Sequence, residues 1–190
     1  ILAVIIIKIN FSINVQAKEY NRFNNISIED GLSQATVETM MQDSKGYIWL
    51  GTNDGLDRYN GYTFKKYSYE KGSKNSLVNG YILDIKEDDE GNIWVATAIG
   101  ISKIYNDGET VQNYTSDSKS GNLSNDNTCI ILISSSNKIY VGTAEGINLY
   151  DKKTDKFNLI YPELKEEYVN SLTEDKYGNI WAGTENGLYK

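Results

Sequence analysis

Several groups of side chains in this sequence could do chemistry. Asp84, Glu87, Asp88, Asp89 and Glu90 crowd one short stretch. Two carboxylates across a cleft could cleave a glycosidic bond, one as acid and one as base or nucleophile. These acids fall mostly in turns, where a solvated face suits them as well. Asp43, Asp88 and Asp175 each begin an Asp-x-x-Gly turn. A calcium loop needs several oxygens spread over about twelve residues, whereas a lone Asp before glycine suits an Asx-type turn. Cys129 lies in Thr128-Cys129-Ile130-Ile131, which reads as a buried strand with the thiol as a small hydrophobe. The chain has no histidine and one cysteine. Histidine-based triads, His general bases, a phospho-accepting His and HExxH zinc sites are therefore excluded, as are an internal disulfide and a Cys-rich metal site. No catalytic residue, metal or cofactor is expected. That leaves the amides Gln34, Asn79 and Asn125, which could bond the hydroxyls of a small molecule or oligosaccharide, or only solvate a rim.

Whatever positions these residues is repeated. Asp43-Ser-Lys-Gly-Tyr-Ile-Trp49-Leu-Gly-Thr52-Asn-Asp-Gly55-Leu56 returns as Asp88 to Ile101, as Ser134 to Ile147 and as Asp175 to Leu188. The aromatic positions are Trp49, Trp94, Tyr140 and Trp181, so the period is 45, 46 and 41 residues. Every tryptophan of the chain sits at this one position. The third unit departs from the pattern, with Ser134 for Asp and Tyr140 for Trp.

Each unit predicts four strands. A short apolar run (Val37–Gln42 and its counterparts) is followed by the Ile-Trp-x-Gly-Thr run. A third strand follows Gly55, Gly100, Gly146 and Gly187, and a fourth is short and aromatic (Phe64–Tyr67). Turns of Asp-x-x-Gly, Asn-Asp-Gly and Asn60-Gly61 separate them. Four strands per period of roughly 45 residues match a β-propeller blade; a β-solenoid would have shorter repeats without hairpins. The expected fold is all-β, with four-stranded antiparallel blades forming part of an incomplete ring. In it the tryptophans wedge between blades, Gly51 permits close approach, and Gly55 supplies a positive φ. The expected blades are 32–76, 77–122, 123–165 and a partial one at 166–190.

The ends add expectations of their own. Residues 1–17 read as a secretion signal whose basic head is missing: an apolar run, then Val15-Gln16-Ala17 as a cleavage site. Residues 18–31 read as an outer closing strand for the last blade, with its lead-in, because Tyr20–Ile26 resembles Phe64–Tyr67. Together these features mark a fragment of an exported protein, periplasmic or extracellular. The formal net charge of −7 argues against nucleic acid as a partner, since phosphate contacts need clustered cations.

The unit spanning Asp43 to Tyr59 resembles the two-component regulator propeller family, and so does the lead-in Ile28-Glu-Asp-Gly-Leu-Ser-Gln34. The resemblance covers residues 20 to 190. It implies a seven-bladed extracytoplasmic sensor propeller within a membrane-bound receptor whose output is a histidine kinase, often hybrid, or a diguanylate cyclase. It implies glycan-type ligands, and as further partners the remaining blades and downstream domains. A secreted propeller hydrolase or lyase, or a passive interaction scaffold, are the alternatives.

Overall fold

The computed structural model describes residues 23–117 and 122–190. The expected secretion signal, and Tyr20 to Arg22 of the expected closing strand, lie outside the described residues.

The described residues form four antiparallel sheets, each a meander in chain order. The first holds β1 (Val37–Gln42), β2 (Ile48–Thr52), β3 (Gly55–Tyr59) and β4 (Phe64–Tyr67). The second holds β5 (Ile82–Glu87), β6 (Ile93–Thr97), β7 (Ile101–Ile104) and β8 (Val111–Tyr114). The third holds β9 (Thr128–Ile133), β10 (Ile139–Thr143), β11 (Gly146–Asp151) and β12 (Lys156–Ile160). The fourth has three strands, β13 (Val169–Glu174), β14 (Ile180–Thr184) and β15 (Gly187–Tyr189). Strand β1 lies against β5, β5 against β9, and β9 against β13, so the first strands line the inner edge of an arc of blades. No ring closes among the described residues.

The apolar cores lie between sheets. Trp49, Leu56 and Tyr67 of the first blade pack with Ile85, Val95, Ile104 and Val111 of the second. Trp94, Ile101 and Tyr114 of the second meet Ile131, Val141 and Phe157 of the third. Tyr140 and Ile147 of the third meet Val169 and Ala182 of the fourth. Strands β6 and β10 are buried on both faces, which explains apolar runs in place of alternation. Gly51 is required by this stacking: a Cβ there would lie 2.6 Å from both Thr39 Cγ2 and Ile82 Cγ2.

Two features differ from expectation. Residues 23–27 form no strand, and Phe23 is 98% exposed; a strand needs an edge, and no described strand pairs with this segment. The chain then makes a short 3-10 turn, Ile28–Asp30, closed by a capping box between Ser27 and Asp30. Each first strand also carries a bulge next to its opening residue. It falls at Glu38, Leu83, Cys129 and Asn170, the one position of the first strand that differs in chemical type in all four blades. Cys129 is only half-buried for this reason.

Candidate functional site

The loops between blades and the turns between second and third strands gather on one face. In the first three blades a buried polar side chain of the third strand ties down the segment leading into its blade. Asp57 accepts hydrogen bonds from the Ser33 N–H and hydroxyl, both at 2.7 Å. Ser102 Oγ accepts from the Val78 N–H at 3.0 Å. Asn148 accepts from the Ser124 N–H at 2.9 Å and donates to its hydroxyl at 2.7 Å. The lead-ins also lace successive blades together: Gly55, Gly100 and Gly146 donate their N–H groups to the carbonyls of Gly80, Asp126 and Glu167 in the following lead-in. These glycines, and Gly187, hold positive φ between +86° and +137°.

Gln34, Asn79 and Asn125 come directly after the three anchored residues, so they occupy one place on successive blades. All three are half-buried. Their side-chain oxygens accept from the chain's own N–H groups two residues on, at Thr36, Tyr81 (2.8 Å) and Asn127 (2.8 Å). The Asn125 amide also donates to Glu145 at 3.0 Å. The oxygens therefore shape the loop, and a ligand would meet the NH2 groups. Beside them Tyr81 and Ile99 are exposed on the second blade, joined by the Ala98 N–H bond to the Tyr81 carbonyl. On the fourth blade Glu167 accepts from Thr184, Asn186 and Tyr189, which holds its carboxyl below the usual range, the Asn186 bond foremost. An aromatic ring, amides and a carboxylate suit a ligand with hydroxyls and an apolar face.

The bulged positions Glu38, Leu83, Cys129 and Asn170 are not among the residues singled out from the sequence as a site, Cys129 apart. Their signal is a one-residue slip in the apolar spacing of the first strand. Cys129 donates its thiol hydrogen to Tyr168 Oη of the next blade at 3.0 Å, and burial pushes its pKa up. It is held as a thiol, not as a nucleophilic thiolate.

The tryptophans hold shape. Trp49, Trp94 and Trp181 each donate the indole N–H to the carboxylate six residues earlier, Asp43, Asp88 or Asp175, at 2.8, 2.8 and 2.9 Å. The other oxygen of each carboxylate accepts turn N–H groups, as at Tyr47, Asn92 and Asn179. A cation covers each ring: Arg58, Lys103 and Lys190 at 5.6, 5.0 and 5.2 Å from the centroid. The third blade lacks all three partners together. Tyr140 has no indole, Ser134 caps the turn by accepting from the Lys138 N–H, and Leu149 stands opposite. Other acids are engaged as well. Asp84 pairs with Lys86 at 2.6 Å and accepts the Ile131 N–H across the blade junction, Glu87 accepts from Ser44, and Glu90 pairs with Lys152. Among the described residues no group of three or more Cys, Asp or Glu side chains is arranged to hold a metal ion.

Residues 31–54, 76–98 and 163–186 match the two component regulator propeller family. Three of the four repeats of this chain thus match that family's repeat unit, and the third lies outside the matched residues. A 57-residue stretch is 42% identical to histidine kinase P4 of Formosa agariphila, covering 30% of this chain and 4% of that protein. The fold resembles the extracellular domain assigned to a hybrid two component system of B. thetaiotaomicron, with TM-score 0.52 and 19% identity over 87% of this chain and 30% of that one. It also resembles virginiamycin B lyase from Staphylococcus aureus, with TM-score 0.58 and 16% identity over 84% of this chain and 57% of the lyase. Identities this low show the propeller fold. The chain spans a small part of the kinase and under a third of the sensor domain.

Proposed function

We propose that this propeller is the extracytoplasmic ligand-sensing part of a membrane-bound signal-transduction receptor. Its output would be a histidine kinase, hybrid or not, or a diguanylate cyclase, and its ligand an oligosaccharide. The observation that carries this reading is the regulator-propeller repeat itself, matched in three of the four blades. The loop face supports it, because an invariant frame there presents groups that vary from blade to blade. The propeller acts by binding, and the frame of interblade hydrogen bonds transmits the bound state to a following domain. A catalytic role is not favoured, since the acids that could form a pair are engaged within turns and junctions.

Calorimetry of the full chain against an oligosaccharide panel tests the ligand class. One class should bind, Tyr81→Ala should weaken that binding at least tenfold, and chromatography should show the sugar unchanged. Binding to none of the panel, or turnover of the sugar, overturns the reading. The receptor assignment has its own test in the reading frame around this sequence. A membrane-spanning helix followed by a kinase or cyclase module supports it; a propeller followed directly by a stop codon sinks it.

A further inference from the structure

Three asparagines of this chain precede a glycine: Asn60, Asn79 and Asn186. Such a pair can react with itself, because the glycine nitrogen lies close to the asparagine side-chain carbonyl and carries no side chain to shield it. The three pairs are held differently. Asn60-Gly61 sits in the exposed turn between β3 and β4. Asn60 Oδ1 accepts two backbone N–H groups, from Tyr62 at 2.9 Å and Thr63 at 2.7 Å, and its NH2 group donates to Thr63 Oγ1 at 3.1 Å. Gly61 has φ +93°, and a Cβ there would meet nothing within 4 Å. Its N–H has no hydrogen-bond partner among the described residues.

Two N–H donors aimed at one carbonyl oxygen make an oxyanion hole, which stabilises the charge that develops when that carbonyl is attacked. The other two pairs lack it. Asn79 Oδ1 accepts a single N–H, from Tyr81 at 2.8 Å; that pair is half-buried, and the Gly80 carbonyl is tied to the Gly55 N–H at 2.7 Å. Asn186 gives its NH2 group to Glu167 at 3.1 Å, and its oxygen accepts no N–H among the described residues.

The second blade shows what the same turn does with an acid. Asp107-Gly108-Glu109-Thr110 precedes β8 as Asn60-Gly61-Tyr62-Thr63 precedes β4. Asp107 Oδ1 accepts the N–H groups of Glu109 and Thr110 at 2.8 and 2.9 Å, and Oδ2 accepts the Thr110 hydroxyl at 2.7 Å. The Thr110 and Glu109 bonds hold this carboxyl down at about 2. An ionised carboxylate is a poor electrophile, and the Gly108 N–H is spent on the Tyr105 carbonyl at 2.8 Å. Asp107 is therefore inert, and it shows that the turn accepts a carboxylate in place of the amide.

We propose that Asn60 is a site of spontaneous covalent modification, converted by its own turn to aspartate and isoaspartate. The Gly61 nitrogen bonds to Asn60 Cγ, and the charge that forms on Oδ1 meets the Tyr62 and Thr63 N–H groups. The Cγ–Nδ2 bond breaks, and the NH2 group leaves as ammonia with the proton of the Gly61 nitrogen. Water then opens the cyclic imide. Hydrolysis at Cγ gives aspartate; hydrolysis at the main-chain carbonyl carbon gives isoaspartate, which lengthens the backbone by one methylene. Aspartate keeps both N–H bonds, as Asp107 does, and adds a negative charge to the hairpin.

Peptide mapping by mass spectrometry tests this on the full chain, kept folded in mildly alkaline buffer and sampled over weeks. Asn60 should convert at least tenfold faster than Asn79 and Asn186, with isoaspartate present beside aspartate. In urea the turn is gone, and the three pairs should convert at similar rates. Gly61→Ala should slow conversion at Asn60 at least tenfold, with a thermal melt showing that the variant is folded. Asn60 left unmodified, or converted no faster than either other asparagine in the folded chain, overturns the inference. So does a lead that persists in urea, or a rate that Gly61→Ala leaves unchanged.

Discussion

Trp94 and Tyr140 hold the same place in neighbouring blades with different companions. Trp94 is fully buried among Tyr114, Tyr150 and Phe157, so its N–H must find an acceptor inside, and Asp88 provides it at 2.8 Å. Removing one partner of a buried hydrogen bond costs about 1–3 kcal/mol. Asp88→Ala should therefore lower the urea unfolding free energy by at least that amount, since Asp88 also accepts from the Glu90 and Asn92 N–H groups of its turn. The loss should shrink when Trp94 is already Phe, and equal losses in both backgrounds would show that the pair is not coupled. In the third blade the reverse holds. Tyr140→Trp should destabilise by stranding an indole N–H, and adding Ser134→Asp should recover part of the loss in the same assay.

At the scale of the blade, the turn between second and third strands is fixed by sterics. Gly100 has φ +87°, and a Cβ there would lie 2.5 Å from the Tyr114 carbonyl oxygen, which belongs to the outer strand of the same blade. Gly61 has a similar φ of +93° but nothing within 4 Å. Gly61→Ala should cost only the left-handed backbone penalty, about 1 kcal/mol. Gly100→Ala must in addition push the outer strand away, and should cost more than about 2 kcal/mol. Thermal melts of the two variants separate conformational strain from collision; equal losses would mean that the outer strand yields freely.

The arc as a whole is laced at its outer side by tyrosines reaching into the next blade. Tyr67 Oη donates to the Gly108 carbonyl at 3.0 Å, and Tyr114 Oη donates to Asp155 at 2.6 Å, as does Tyr150 from within the third blade. Burial pushes the Tyr67 phenol up to about 12, and pushes Tyr114 and Tyr150 up as well, with Asp155 adding to both. An unfolded tyrosine ionises near 10. Because the folded values are raised, this stabilisation is complete below about pH 10 and is lost as pH rises through the folded values. Denaturant midpoints should therefore hold from neutral pH to about 10 and fall steeply above it. Tyr67→Phe should lower stability at pH 7 by about 0.5–1.5 kcal/mol, the worth of one hydrogen bond, and flatten the alkaline fall. A fall of unchanged steepness would assign it to other groups.

The sequence by itself determined the blade. Short apolar runs, Asp before Gly, and Gly after Thr are local signals, because strands and tight turns are built from residues within about ten positions of one another. They were enough to place the fifteen strands of the four blades. Only the tertiary structure decided what joins one blade to the next. Ser44 meets Glu87, Ser135 meets Glu174, and Tyr114 meets Asp155, each pair about 40 residues apart. Such partners depend on the angle between sheets, which no local pattern encodes. The same holds for the candidate site. Gln34, Asn79 and Asn125 could be picked out as equivalent amides, but that their oxygens are turned onto their own backbone follows from Asp57, Ser102 and Asn148 pinning the residue before each of them. The bulges at Glu38, Leu83, Cys129 and Asn170 were hidden for a related reason: a one-residue insertion is defined only against the strand it fails to match.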